Sequence, residues 1–279
     1  MTSPSLAIVI VSYNARRYLE ACLRSLAAAP PALSHQIVVV DNASNDGSPA
    51  VVADVTPEAL LIQNETNVGF ARATNQGIRA IASEAILLLN SDTEVPPHAI
   101  DRLADALRAD PAAAVVGPRL VDRNGRTEVS FGRMISPFNE LRQKTLVRLH
   151  AWGVPPVAGW VERTTRTPQY ADWISGACLL VWREAAQRAG LLDERYFIYG
   201  EDVDFCAAIR ANGWRVRFVP GVTVVHVGGR SVVTSASVTS AAYRRSQLAF
   251  YAKHHARWVP WLRWYLRLRG KLDSSVHSG

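Results

Sequence analysis

Five ionisable side chains lie where the chain leaves an apolar run, the places from which a side chain can reach a ligand. Asp41 follows Val38-Val39-Val40, and Asp92 follows Leu87-Leu88-Leu89-Asn90-Ser91. Glu201 and Asp202 follow the aromatic run Tyr196-Phe197-Ile198-Tyr199-Gly200, and His226 follows Val224-Val225. A carboxylate emerging from a buried strand suits a divalent cation that bridges two phosphates. For Asp92 the alternative is a solvated turn beside Thr93 and Glu94. Asp41 either accepts hydrogen bonds from a base or ribose, or forms the turn that caps the next helix. Glu201 and Asp202 suit proton transfer, yet acids at a helix start are also favoured by its dipole alone. Glu194 and Asp204 stand close by and compete for the same roles. His226 is a single histidine beside Gly228-Gly229, as readily a satisfied loop residue as a ligand.

The elements that must position these residues alternate. Residues 6–11 are a continuous apolar, β-branched run, the pattern of a strand covered on both faces. Asn14 reads as the N-cap of a helix with Leu19, Cys22, Leu23 and Leu26 on one face, closed by Pro30-Pro31. Strands are expected over 36–40, 59–63 and 85–89, with helices ending at 55 and spanning 70–81 and 96–108. This order signals a parallel sheet with covered faces. After about residue 115 the alternation breaks. Asp122-Arg123-Asn124-Gly125-Arg126 is a hairpin signal, and 130–170 reads as irregular. A buried strand over 176–182, a helix over 201–211 ended by Asn212-Gly213, and a strand over 215–219 follow. The expected fold is α/β, a Rossmann-like, mostly parallel sheet with helices on both faces. Residues 1–115 form its nucleotide-type half, 116–240 a mixed half that completes the site, and 241–279 a tail.

In open parallel sheets ligands bind beyond the carboxyl ends of the strands. Ser12-Tyr13-Asn14, Asp41-Asn42-Ala43-Ser44 and Asn90-Ser91-Asp92 occupy those ends. No G-x-G-x-x-G or Walker loop occurs, which disfavours NAD-linked redox chemistry and P-loop phosphoryl transfer.

A chain of 279 residues with 48% hydrophobic and 20% charged residues is neither disordered nor collagen-like. The net charge is +7, but eight Lys/Arg and no acid fall between residues 241 and 272, leaving −1 on the rest. A body near neutrality argues against a nucleic-acid-binding core. Cys22, Cys178 and Cys206 are widely spaced with no C-x-x-C pair, as expected of reduced, buried thiols in a cytoplasmic protein. No signal peptide and no apolar run near the ~18 residues of a membrane span are expected. From Pro260, the residues Trp261, Trp264, Tyr265 and Leu268 share one helical face, with Arg263, Arg267 and Arg269 around it. That face is expected to lie in the headgroup layer on the inner side of the membrane. Its alternatives are packing on the body and a contact within a homodimer.

Taken in order, these pieces resemble the family 2 glycosyltransferases of the GT-A fold, in particular the rhamnosyltransferase-like branch. The resemblance rests on Val9-Ile10-Val11-Ser12-Tyr13-Asn14, on Val39 to Ser48, on Asn67 to Gly77, and on Leu88-Leu89-Asn90-Ser91-Asp92. It continues through Gly176-Ala177-Cys178, Gly200 to Cys206 and His226 to Ser231, and covers roughly residues 5–250. It implies an inverting transfer of a sugar from a nucleoside-diphosphate sugar to a glycan, with L-rhamnose from dTDP-rhamnose as the first expectation. UDP-galactofuranose, a UDP-hexose and a non-catalytic nucleotide-sugar binder are the alternatives. The acceptor would be carried on a polyprenyl diphosphate. By the same resemblance Ser12, Tyr13, Asn14 and Asp41 contact the nucleoside, while Asn67, Arg72 and Asn75 shape the base and ribose pocket. Asn90-Ser91-Asp92 stands where relatives carry D-x-D. Asp92 is then the main carboxylate ligand of Mg²⁺ or Mn²⁺, and His226 a second ligand or a diphosphate contact. Asp202 matches the family's general base, with Glu201 beside it.

Overall fold

The computed structural model describes residues 5–227 and 236–270. Gly228 to Ser231 of the last motif and the end of the basic tail, 271–279, lie outside the described residues.

The first half alternates as expected: β1 (Leu6–Ser12), α1 (Arg16–Ala28), β2 (His35–Asp41), α2 (Ser48–Val55), β3 (Leu60–Gln63), α3 (Phe70–Ala80) and β4 (Ala85–Asn90). A two-residue β5 (Thr93–Glu94), α4 (Ala99–Arg108) and β6 (Ala113–Val121) follow. The second half holds β7 (Phe131–Gly132), α5 (Pro137–Ala151), α6 (Pro155–Thr164), β8 (Gln169–Ala171), β9 (Trp173–Ile174) and β10 (Cys178–Trp182). It ends with α7 (Arg183–Arg188), α8 (Glu201–Ala211), β11 (Arg215–His226), α9 (Ala236–His254) and α10 (Val259–Leu268).

The main sheet runs in the order β3-β2-β1-β4-β10-β6-β11-β5, with β8 also on β11. Strands β3, β2, β1 and β4 are mutually parallel, whereas β10 is antiparallel to both β4 and β6. Register aligns the strand ends: Ser12 pairs with Asp41, and Val11 with Asn90. Three site loops therefore leave the carboxyl end of the sheet together.

Strand alternation divides the interior into two cores. Leu6, Ile8 and Ile10 of β1 point to Leu19, Leu23 and Leu26 of α1 and to Leu103 and Leu107 of α4. Ala7 and Val9 point the other way, to Ala73 and Ile78 of α3 and the core of the second half. These β1 side chains are at most 2% exposed, and full burial of each Leu or Ile contributes roughly 2–3 kcal/mol. That is why the run is apolar without interruption. The three cysteines are buried and unpaired, and burial pushes each thiol up to about 12.

Four expectations need correction. Asn14 is not the N-cap of α1, which begins after Ala15; Asn14 sits at φ 48 and ties two loops together. Its amide donates to Ser44 Oγ and its Oδ1 accepts from Asn45 N, both at 2.9 Å. The stretch 130–170 is not irregular but contains α5 and α6. Helix α5 buries no residue, so it has no apolar period to read. Strand β11 runs on past Val219 to His226 through an irregularity between Val219 and Thr223. Finally, no break falls at residue 240. Helix α9 passes through it, and Phe250 and Tyr251 are 2% and 3% exposed within the core. Among the described residues, no helix is long and apolar enough to cross a membrane.

Candidate active site

A cleft of about 220 Å³ opens at the carboxyl ends of β1, β2 and β4, as the parallel half requires. It gathers residues from every segment that meets there: Tyr13 after β1, Asn42 after β2, Asp92 after β4, Gly176 before β10, Asp202 on α8 and His226 at the end of β11.

Gly69 and Phe70 close one side. The Phe70 amide donates to Phe197 O at 2.7 Å, and Gly69 at φ +88 presses so close that a Cβ would lie 2.8 Å from both the Phe197 ring and its carbonyl. Any side chain here meets backbone in a left-handed conformation. Gly69→Ala is therefore expected to destabilise the protein by about 2–4 kcal/mol and to weaken nucleotide binding. Urea unfolding checks this, and an unchanged midpoint would mean that the Phe197 loop yields freely.

Asp92 is 3% exposed. Its Oδ1 lies 3.3 Å from His226 Nε2 but has no hydrogen-bond partner. His226 Nδ1 is 2.9 Å from Glu128 Oε2, so the imidazole sits between two carboxylates. Burial lowers the imidazole pKa, but Asp92 and Glu128 outweigh burial and hold it up at about 10. A buried, unpartnered carboxylate oxygen beside an imidazole suits a hard divalent cation. No cluster of three or more His, Cys, Asp or Glu with ligand geometry occurs among the described residues. With its proton held, His226 has no lone pair to offer and suits a contact to a diphosphate; Asp92 is then the protein's own ligand, and phosphate oxygens and water must complete the shell.

Asp202 is the second residue of α8 and is held by two backbone donors. Gly176 N reaches Oδ2 at 3.0 Å and Val203 N reaches Oδ1 at 2.8 Å. A Cβ on Gly176 would stand 3.3 Å from Asp202 Cβ, so this close approach requires glycine or a shift of the carboxylate. Burial raises the Asp202 pKa against those two amides, which strengthens it as a base. Glu201, 7% exposed with Oε2 unpartnered, is pushed up to about 8 by burial and by the charge of Asp202. It binds its proton more tightly folded than unfolded. Its stabilising contribution is therefore complete below about 4.5 and is lost as pH rises towards about 8. Glu201→Gln mimics the neutral form. Its melting temperature should match the wild type near pH 4.5 and exceed it at pH 8, and a constant difference across that range would remove Glu201 as the titrating group.

The acids near Asp202 have separate duties. Asp204, 2% exposed, accepts from Lys253 Nζ at 2.8 Å and Tyr196 OH at 3.3 Å, and stands 2.6 Å from His254 Nε2, which clamps α9 onto α8. Glu194 accepts from Asn75 Nδ2 at 3.0 Å.

Of the residues singled out in the sequence, Tyr13, Asn67, Asn90, Ser91, Asp92, Glu201, Asp202 and His226 line the cleft. Five do not. Asn75 is 1% exposed and bonds Leu192 N and O as well as Glu194, a latch between α3 and the loop before α8. Arg72 points outward, 3.9 Å from Glu194. Asn14 holds the Asn45 loop. Asp41 Oδ2 accepts from Ser44 N at 2.9 Å, so the turn-forming role is present, while Oδ1 stays buried without a partner. Ser12 Oγ, its register neighbour, is buried and unpartnered too. The sequence marks Glu128 by nothing and gives Asn42 a place at a strand end but no role. Glu128 follows a hairpin and carries no motif, whereas Asn42 stood inside the matching segment, directly after Asp41.

Comparison with known proteins bears on what this cleft does. The family described as "Glycosyl transferase family 2" matches residues 7–161, and "Glycosyl transferase family group 2" matches 85–268. The N-acetylglucosaminyl-diphospho-decaprenol L-rhamnosyltransferase of Mycobacterium tuberculosis is 32% identical over 98% of this chain and 92% of its own length. The chain belongs to glycosyl transferase family 2. The dTDP-rhamnosyl transferase RfbF of Shigella flexneri is 27% identical over 80% of this chain and 70% of its own. Among solved structures, a mannosyltransferase of Pyrobaculum calidifontis in complex with GDP-Man and Mn²⁺ superposes with a TM-score of 0.61 at 20% identity. It is matched over 94% of this chain and 69% of that one. TarS of S. aureus with UDP-GlcNAc gives 0.58 at 16% identity, over 88% and 66%. The family 2 glycosyltransferase described here thus has the GT-A fold expected from its motifs, and it is a glycosyltransferase of the rhamnosyltransferase-like kind.

Proposed function

We propose that this family 2 glycosyltransferase moves L-rhamnose from dTDP-rhamnose to a saccharide carried on a polyprenyl diphosphate, with inversion at the anomeric carbon. The reading is carried by one observation: a single cleft at the strand ends holds both Asp92 with His226 and Asp202. Sugar and acceptor follow the rhamnosyltransferases of M. tuberculosis and S. flexneri.

The nucleotide lies over Tyr13, Asn42 and Asn67, with its diphosphate towards Asn90, Ser91 and Asp92. Asp92 would hold Mg²⁺ or Mn²⁺, which when bound offsets the charge that builds on the leaving diphosphate, and the protonated His226 would donate to that diphosphate, becoming a second ligand only on losing its Nε2 proton. Asp202 accepts the proton of the attacking hydroxyl. The Gly176 and Val203 amides fix its carboxylate, and each oxygen retains a second lone pair for that proton. Direct attack on the face opposite the diphosphate inverts the centre. A thermal-shift series with dTDP, UDP and GDP in Mg²⁺ tests the donor, since a ligand that prefers the folded state raises the melting temperature. The largest shift is expected with dTDP; a larger one with UDP would favour a UDP-sugar.

The acceptor's lipid calls for a membrane-facing surface, which we assign to α10 at the inner face of the cell membrane. Val259, Leu262 and Leu266 pack on the body, with Leu266 at 0% exposure. The opposite face leaves Trp261, Trp264, Tyr265 and Leu268 exposed beside Arg263, Arg267 and Arg269. Flotation with anionic vesicles is expected to carry the protein upward, and less so after Trp261→Ser/Trp264→Ser. Equal retention of both in the soluble fraction at low salt would leave the face to a homodimer contact.

A further inference from the structure

A second cavity, of about 410 Å³, lies between α5, α6, β8 and the β7–β9 ribbon. Helix α5 lines it with Arg142 and Gln143, α6 with Trp160, β8 with Tyr170, and the ribbon region with Arg133 and Asp172. Other arginines nearby have carboxylate partners: Arg119 and Arg166 share Glu162, each at 2.7 Å, and Arg210 reaches Asp172 at 2.8 Å. The Asp172 carboxylate also accepts from Met134 N. Arg133 and Arg142 have no carboxylate partner among the described residues, so the cavity presents two uncompensated guanidinium groups beside aromatic rings. Guanidinium forks match phosphate oxygens in shape and charge. The Trp160 ring offers a platform for the apolar face of a sugar.

Two rulers connect this cavity to Asp202. Asp172 of the cavity and Ser175 of the donor cleft are three extended residues apart, about 10 Å. Arg210, which holds Asp172, lies eight helical residues beyond Asp202, about 12 Å. Both match the reach of a sugar ring plus a diphosphate. Helix α5 also turns Phe138 and Leu141 outward, 75% and 68% exposed. Phe138 meets Trp258, the residue just before α10, edge-on at 6.3 Å, which joins α5 to the start of that helix.

We propose that this cavity binds the diphosphate of the lipid-linked acceptor, leaving the prenyl chain in the membrane and the sugar hydroxyl at Asp202. The inference rests on the acceptor reading above. Calorimetry with a short-chain prenyl diphosphate bearing N-acetylglucosamine, beside dTDP with Mg²⁺, tests it on the full chain. Arg133→Ala/Arg142→Ala should weaken the prenyl probe at least ~10-fold and leave dTDP unchanged, while Asp92→Ala should do the reverse. In transfer, the double variant should raise KM for the lipid acceptor with kcat kept, and the double Lys variant should recover part of the loss. Unchanged probe affinity in the double Ala variant overturns the cavity assignment and leaves the acceptor reading standing. A wild-type protein that binds dTDP but not the probe overturns both. Displacement of the probe by an equal concentration of inorganic pyrophosphate would assign the cavity to free diphosphate, against the proposal.

Discussion

Asp202→Asn lowers sugar transfer by at least ~10²-fold while nucleotide affinity stays within a few fold, because asparagine cannot take the proton of the attacking hydroxyl. The substitution is close to isosteric but not silent. Its amide has one acceptor oxygen for two backbone donors, Gly176 N and Val203 N, so about 1 kcal/mol of stability should be lost. Rates are therefore compared below the melting transition. Asp204→Asn is the control two residues away. It loses the charge held by Lys253 and His254 and should destabilise α9 by up to ~3–5 kcal/mol, with kcat of the folded fraction kept. If the Asp204 variant is folded and inactive while the Asp202 variant transfers sugar normally, the base has been misplaced.

The second large effect is at Asp92. Asp92→Ala removes the buried carboxylate whose Oδ1 lacks a hydrogen-bond partner, and leaves His226 paired with Glu128 alone. Transfer should fall by roughly 10²–10³-fold, the scale of several kcal/mol of charge stabilisation on a leaving diphosphate. Binding of Mn²⁺ in the presence of dTDP, followed by calorimetry, should disappear in the same variant. Excess chelator should abolish wild-type transfer, and added Mg²⁺ or Mn²⁺ should restore it. Full activity in chelator would exclude the cation and leave Asp92 a purely structural partner of His226.

What could be read in advance follows from how local each signal is. The β1 run is apolar on both faces because it lies between two cores, so strand and burial are written in six consecutive residues. Helix α8 was legible to its ends, with acids at the start and Asn212-Gly213 after its last turn. Helix α5 had local marks only: Ser136 Oγ accepts from Asn139 N, and Pro137 starts the helix. It buries nothing, so the periodicity that would have announced it does not exist. Asn14 and Asn75 look like ligand contacts in sequence, and the structure uses both to join segments far apart in the chain. No pattern distinguishes an asparagine that binds a base from one that bonds Leu192. Glu128 was invisible for the same reason, since its importance comes from β11 bringing His226 alongside. The aromatic face of α10 was read correctly as a face. Its opposite side, Val259, Leu262 and Leu266, was not, because only the tertiary structure shows that the helix has two apolar sides.

The most direct measurement combines purified protein, dTDP-β-L-rhamnose, Mg²⁺ and a short-chain prenyl diphosphate bearing N-acetylglucosamine, with the product analysed by mass and by NMR at the anomeric centre. The mechanism predicts one added rhamnose in the α configuration, release of dTDP, and no product with Asp202→Asn. A β-linked product would contradict direct displacement aided by Asp202. Absence of any transfer from dTDP-rhamnose, with efficient transfer from a UDP-sugar under the same conditions, would contradict the donor.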